Sequence, residues 1–230
     1  TTAPNPIYVA LDTPDVKTAR DLAEAVRPHA GGLKVGLEFV SANGPEGIRV
    51  IVALGLPVFL DVKLHDIPTT VAGAVRALAD LGVSIINIHA SGGTAMMKAA
   101  KEAAGGKAKI IAVTILTSLD DEDMRAVGFA GDAAAQAVRL AQLAKSAGLD
   151  GVVCSAHDLK AVRAACGPDF LTVVPGSRPA GSALNDQKRF MTPAEARDAG
   201  ADILILGRPV THAADPREAC RQVAASLGLA

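Results

Sequence analysis

The sequence predicts an α/β chain folded as one (β/α)8 TIM barrel over residues 1–230, and three features of the chain lead there. Short β-branched runs alternate with Ala-rich helical patterns from end to end, which is the sequence form of repeated βα units around a parallel sheet. The number of such runs is eight, the number that closes a barrel. Half of the residues are apolar while aromatics make up 3%, so the core must be built from Ala, Val, Ile and Leu, the residues that fill barrel interiors.

The expected strands are Ile7 to Leu11, Leu33 to Gly36, Val58 to Lys63, Ser84 to His89, Ile110 to Thr114, Gly151 to Ser155, Leu171 to Val174 and Ile203 to Gly207. The segments between them read as helices. The first, Pro14 to Val26, has Thr13 as the expected N-cap and Pro14 at the first helical position, with Leu22 and Val26 at helical spacing. Gly82, Gly148 and Gly200 each follow an Ala-rich periodic segment and precede a strand by a few residues, where a left-handed helix C-cap requires Gly. No linker or composition shift divides the chain. The longest irregular stretch, Gly176 to Asn185, contains Pro179 and Gly181 and reads as a functional loop.

A formal net charge of −1 with no block of like charges argues against nucleic acid and against a charged membrane surface as partners, and for a small molecule. Cys154, Cys166 and Cys220 show no CxxC spacing, and no signal peptide or apolar stretch of about 20 residues is visible, which fits a reducing cytoplasm. The five histidines form no HxH or HExxH pattern, so no metal site is expected, and no P-loop or dinucleotide fingerprint occurs.

A barrel carries its active site where strands end and βα loops begin. Asp12, Lys34, Asp61, Lys63, His89, Thr117 and Arg208 all interrupt or close apolar runs at those positions. Side chains alternate along a strand, so Asp61 and Lys63 share one side, and Lys34 and Asp66 are candidates to extend an alternating array of charge. Read alone, Asp61 and Lys63 also fit a structural ion pair, Asp66 a cap for the helix beginning near Pro68, and His89 a hydrogen-bonded residue of the barrel mouth. Cys154 reads as a packing residue and Asp120 to Asp123 as a solvated turn and helix start.

The run Asp61-Val-Lys-Leu-His-Asp-Ile-Pro-Thr-Thr70 resembles the signature of the orotidine 5′-monophosphate decarboxylase family. The likeness continues through Val9-Ala-Leu-Asp12, Leu33-Lys-Val-Gly36, Asn87-Ile-His-Ala90, Val113 to Ser118, Gly151 to Ser155, Pro175-Gly176, Arg178-Pro179, Asp186 to Arg189 and Ile205 to Pro209. The resemblance implies decarboxylation of orotidine 5′-monophosphate to uridine 5′-monophosphate, the last step of de novo pyrimidine nucleotide synthesis, with no cofactor and no metal. It also implies a homodimer with shared active sites. Lys34, Asp61 and Lys63 match a charged array completed by the match of Asp66 from the other subunit; Lys63 would protonate pyrimidine C6, and Asp61 would face the substrate carboxylate. Arg178, Gln187, Gly207 and Arg208 match phosphate contacts. Asp12 and, from the partner, Thr70 match ribose contacts, while Ile67, Thr117 and Pro175 match the remaining substrate contacts, Thr117 near the pyrimidine edge and Pro175 against the ring. Ser177 stands where the family has Ile or Val, and Asn185 where it commonly has Gly.

Two other readings predict different behaviour. A related barrel lyase would handle an enediolate with Mg²⁺ and lose activity to a chelator. A phosphate-binding barrel that only senses a nucleotide would bind it without turnover.

Overall fold

The computed structural model describes residues 4–176 and 191–229. Its elements run β1 (Ile7–Ala10), α1 (Val16–Val26), β2 (Gly32–Gly36), α2 (Leu37–Val52), β3 (Val58–Leu64), α3 (Pro68–Ala79), β4 (Ile85–His89), α4 (Gly93–Ala104), β5 (Lys109–Val113), α5 (Asp121–Ala126) and α6 (Ala133–Ser146). They continue as β6 (Gly151–Val153), α7 (Leu159–Cys166), β7 (Leu171–Pro175), α8 (Pro193–Asp198), β8 (Ile203–Leu206), α9 (Arg208–Thr211) and α10 (Pro216–Ser226). The strands close in sequence order, every adjacent pair parallel and β8 returning to β1. This is the (β/α)8 barrel expected, each expected strand recovered to within one or two residues at its ends.

Alternation along each strand sorts the chain into two apolar clusters. One phase, including Val9, Leu33, Leu60, Ile86, Ile110 and Leu204, packs outward against the helices. The other, Tyr8, Ala10, Phe59, Ile85, Ile111, Val173, Ile203 and Ile205, fills the barrel interior. Following the interior phase upward gives Asp12 after β1, Lys34 in β2, Asp61 and Lys63 in β3, Asn87 and His89 in β4 and Gly207 after β8. The barrel is therefore apolar at its base and charged at its mouth, and the polar groups stand on a packed floor.

The glycines expected at helix ends hold positive φ, at 83° for Gly82, 84° for Gly148 and 106° for Gly200, a region that excludes most L side chains. The start of α1 differs from the expectation. Asp15, not Thr13, is the N-cap, because its carboxylate accepts from the Thr18 backbone N–H at 2.8 Å and from the Thr18 hydroxyl. Pro14 accordingly precedes the helix, and its carbonyl accepts from the Asn43 side chain. Asp120 does cap α5, in a reciprocal capping box with Asp123.

Candidate active site

The mouth of the barrel holds a cavity of about 310 Å³, within the usual size of small-ligand sites. Its apolar lining includes Ala10, Phe59, Val113, Val153 and Ile205 and its polar lining Asp12, Lys34, Asp61, Lys63 and Thr117, with Pro175, Gly176, Gly207, Arg208 and Pro209 completing it. Eight of the residues expected from the sequence thus converge: Asp12, Lys34, Asp61, Lys63, Thr117, Pro175, Gly207 and Arg208. Arg178 and Gln187, with Ser177 and Asn185 and most of the expected loop, lie outside the described residues.

Asp12, Lys34, Asp61 and Lys63 form a chain of alternating charge. Lys34 Nζ lies 3.0 Å from Asp12 Oδ1 and 3.2 Å from Asp61 Oδ2, and Lys63 Nζ lies 2.6 Å from Asp61 Oδ1. Lys34 is only 7% exposed, so its charge is sustained by its two carboxylate neighbours and not by water. Burial works to raise the Asp61 pKa, but the charges of Lys34 and Lys63, with hydrogen bonds from Lys63 and Asn87, outweigh it and hold the carboxyl below its ordinary value. Asp61 is therefore an ionised, desolvated carboxylate at the floor of an open cavity. Gly36 leaves room for the pair beside it, since a Cβ there would lie 3.0 Å from Lys34 Nζ and 3.2 Å from Asp12 Oδ1.

Strand β3 does not reach this arrangement by simple alternation. Leu60 pairs with Ile86, but the next registered pair is Leu64 with Ile88, so β3 carries two more residues than β4 between those points. Within the irregularity Lys63 has φ of +50°, alone among the described non-glycine residues in the left-handed region. Asn87, fully buried, was not singled out from the sequence, yet its amide donates to Asp61 Oδ1 at 2.7 Å and its carbonyl accepts from the Lys63 N–H at 2.8 Å. The available signal was one amide in the apolar run Ile85-Ile-Asn-Ile88, since a buried polar group must find partners.

Asp66, Ile67 and Thr70 stand apart from the cavity and are exposed, Ile67 at 64%. Asp66 is not the cap of α3. Ile67 holds the N-cap position, and the Asp66 carboxylate accepts from the Ile67 N–H at 2.6 Å instead. His89 faces His65 with ring centroids 5.4 Å apart; burial, and then the charges of His65 and Lys63, push its pKa down. Cys154 lines the cavity, but burial pushes its thiol up to about 12, so it stays protonated and a poor nucleophile. Above the charged floor, a Cβ on Gly207 would meet nothing within 4 Å, leaving the backbone beside Arg208 open to a ligand.

The model of the orotidine 5′-phosphate decarboxylase / HUMPS family matches residues 5–223. The chain belongs to the orotidine 5′-phosphate decarboxylase / HUMPS family. Among its relatives, an orotidine 5′-phosphate decarboxylase from Paramagnetospirillum magneticum is 52% identical over 233 residues, covering 98% of this chain and 99% of its own. Another, from Novosphingobium aromaticivorans, is 54% identical over 223 residues, covering 97% and 99%. The crystal structure of orotidine 5′-phosphate decarboxylase from Lactobacillus acidophilus superposes with a TM-score of 0.85 at 36% identity, covering 95% of this chain and 97% of that one. That structure's fold and this chain's therefore match along nearly their whole length.

Proposed function

We propose that this chain decarboxylates orotidine 5′-monophosphate to uridine 5′-monophosphate, the last step of de novo pyrimidine nucleotide synthesis, in the cytoplasm and without metal or organic cofactor. The observation that carries the mechanism is the Lys34–Asp61–Lys63 array in the cavity, buried at Lys34 and open at Lys63. Asp61 opposes the substrate carboxylate. Two carboxylates about 4 Å apart at an effective dielectric of about 20 repel by about 4 kcal/mol. That repulsion falls as the C6–carboxylate bond breaks and its electron pair passes to C6 while carbon dioxide leaves. Full relief at the transition state is worth about three decades in rate. The Lys63 ammonium gains as negative charge arrives at C6 and then donates its proton there, so the same side chain stabilises the developing charge and quenches it. Lys34 keeps Asp61 ionised while also holding Asp12.

The substrate contacts follow the family resemblance, which the convergence of Asp12, Thr117, Pro175, Gly207 and Arg208 on one cavity supports. Arg208, beside the open backbone of Gly207, takes the phosphate as a bidentate donor together with Arg178 and Gln187. Asp12 takes the ribose, Thr117 the pyrimidine edge, and Pro175 packs on the ring. The functional unit is a homodimer. Asp66, Ile67 and Thr70 leave their own cavity and are exposed, and the large exposed side chain of Ile67 suits a surface that a second subunit covers, so that Asp66 and Thr70 complete the partner's site.

The test is the loss of orotidine 5′-monophosphate absorbance, followed for wild type and Lys63→Ala with a chelator present. Turnover by wild type, insensitive to chelator and abolished in Lys63→Ala, is expected; no turnover by wild type refutes the proposal. Chelator-sensitive turnover would support a metal-dependent lyase instead, and binding without turnover a sensor.

A further inference from the structure

The circuit at Asn87 assigns a task to a residue that does not line the cavity and acts through Asp61 and Lys63. Where β3 carries its two extra residues, the ladder to β4 is interrupted between Leu60 and Leu64. The Lys63 N–H falls in that gap, and the Asn87 side-chain carbonyl accepts it at 2.8 Å. The other end of the same amide donates to Asp61 Oδ1, the oxygen that also receives Lys63 Nζ. The amide orientation is determined, since the reverse would set a donor against the Lys63 N–H and an acceptor against a carboxylate. One buried side chain therefore ties the backbone of Lys63 to the carboxylate of Asp61. It does so at a lysine whose φ of +50° is rarely adopted by an L residue and persists only where the surroundings impose it.

We propose that Asn87 is a positioning residue that holds Lys63 in its left-handed backbone and Asp61 in its orientation, so that ammonium and carboxylate meet the substrate together. The proposal rests on the reading of Lys63 and Asp61 as the reacting groups. Without the amide, Lys63 has no acceptor for its N–H and relaxes toward extended backbone, and its side chain swings away from Asp61. Misplacement of a reacting group by about 1 Å costs on the order of a hundredfold in rate. The proposed ribose contact Asp12 follows β1 and the proposed phosphate contacts Gly207 and Arg208 follow β8, away from β3 and β4, so the loss falls on kcat and not on KM.

Two variants separate positioning from packing. Asn87→Leu keeps the branched heavy-atom skeleton, with bulkier methyl ends, and removes both hydrogen bonds. Asn87→Asp is nearly isosteric: as the neutral acid its carbonyl accepts from Lys63 and its hydroxyl donates to Asp61, whereas ionised it faces Asp61 as a like charge. Two carboxylates in contact share a proton at a raised pKa. The other ionisable groups around this point, Lys34 on β2, Lys63 on β3, His65 beyond it and His89 on β4, are common to wild type and variants. The ratio of variant to wild-type kcat therefore isolates the new proton.

We expect kcat of Asn87→Leu to fall on the order of a hundredfold with KM within about threefold. The kcat ratio of Asn87→Asp to wild type should rise as pH falls, and the ligand-free crystal structure of Asn87→Leu should show Lys63 outside the left-handed region. A pH-independent ratio for Asn87→Asp, a kcat of Asn87→Leu within about threefold of wild type, or Lys63 unmoved in the variant structure overturns the inference. If Asn87→Leu does not fold, as judged by circular dichroism, the pH profile of Asn87→Asp decides alone. Failure of wild type itself to turn over orotidine 5′-monophosphate refutes the proposed function; the Lys63 conformation in the variant then decides the positioning claim separately.

Discussion

Replacing Lys34 by Met, which keeps an unbranched side chain one atom shorter and removes its charge, leaves Asp61 and Asp12 without the cation between them. At the observed 3.2 Å from Asp61, the direct attraction at an effective dielectric of about 20 is about 5 kcal/mol. The partner pair with Asp12 adds little, because the Asp12 side chain is 55% exposed and screened by water. Removing one partner of a buried pair costs about 3–5 kcal/mol. Asp61 retains Lys63 and Asn87, which places the loss at the low end, about 3 kcal/mol, or about 6–12 °C in Tm for a chain of this size. The loss depends on pH in a defined direction. The folded pKa of Asp61 lies below its unfolded value, so the stability from its ionised form is present above about pH 3.9 and is lost as pH falls through the folded pKa. The deficit of Lys34→Met is therefore full near pH 7 and shrinks on acidification below about pH 4. Denaturant unfolding of both proteins across that range measures it. A deficit below about 1 kcal/mol at neutral pH, or one that stays constant on acidification, would refute the view that Lys34 works by sustaining an ionised Asp61.

Three other outcomes follow from the same geometry. On the proposed dimer, mixing Lys63→Ala chains with Asp66→Ala chains should restore activity, because a hybrid would hold one intact shared site; no recovery despite demonstrated subunit exchange would remove Asp66 from the partner's site. Arg208→Ala should lower kcat/KM for the nucleotide by about tenfold to a hundredfold, the worth of a charge-assisted hydrogen bond, yet leave kcat/KM for orotidine, which lacks the phosphate, unchanged; an equal loss on both substrates would place Arg208 elsewhere. Arg163, whose guanidinium donates to the carbonyls of Gly167, Pro168, Phe170 and Gly200, to Thr172 Oγ1 and to Asp202, ties β7 and β8 together at the end of the barrel away from the site. Its replacement by Ala should cost about 3 kcal/mol or more in denaturant unfolding with kcat retained, and a loss of kcat in the folded variant would contradict that separation.

The barrel was legible because its two periods are local. Strands such as Ile203 to Gly207 and helix ends such as Gly82, Gly148 and Gly200 carry their own backbone requirements, whatever lies across the fold. Where several neighbours could serve one role, local reasoning chose wrongly. Thr13, Asp15 and Thr18 can all satisfy backbone donors, and the carboxylate of Asp15, within reach of the Thr18 N–H, takes the cap. For Asp66 the alternative of a helix cap falls away, its carboxylate being engaged by the adjacent Ile67 N–H.

The site divides along the same line. Which charged residues stand at strand ends on the inward phase is readable from the chain alone: Asp12, Lys34, Asp61 and Lys63 carry that information in their spacing from apolar neighbours. How Asp61 and Lys63 come to touch is not, because register is a relation between strands and no single strand encodes it. The two-residue irregularity against β4, the left-handed Lys63 it produces and the Asn87 amide that spans the gap exist only once β3 and β4 are paired. An amide in an apolar run signals that a partner must exist; which partner it finds is determined by the strand beside it.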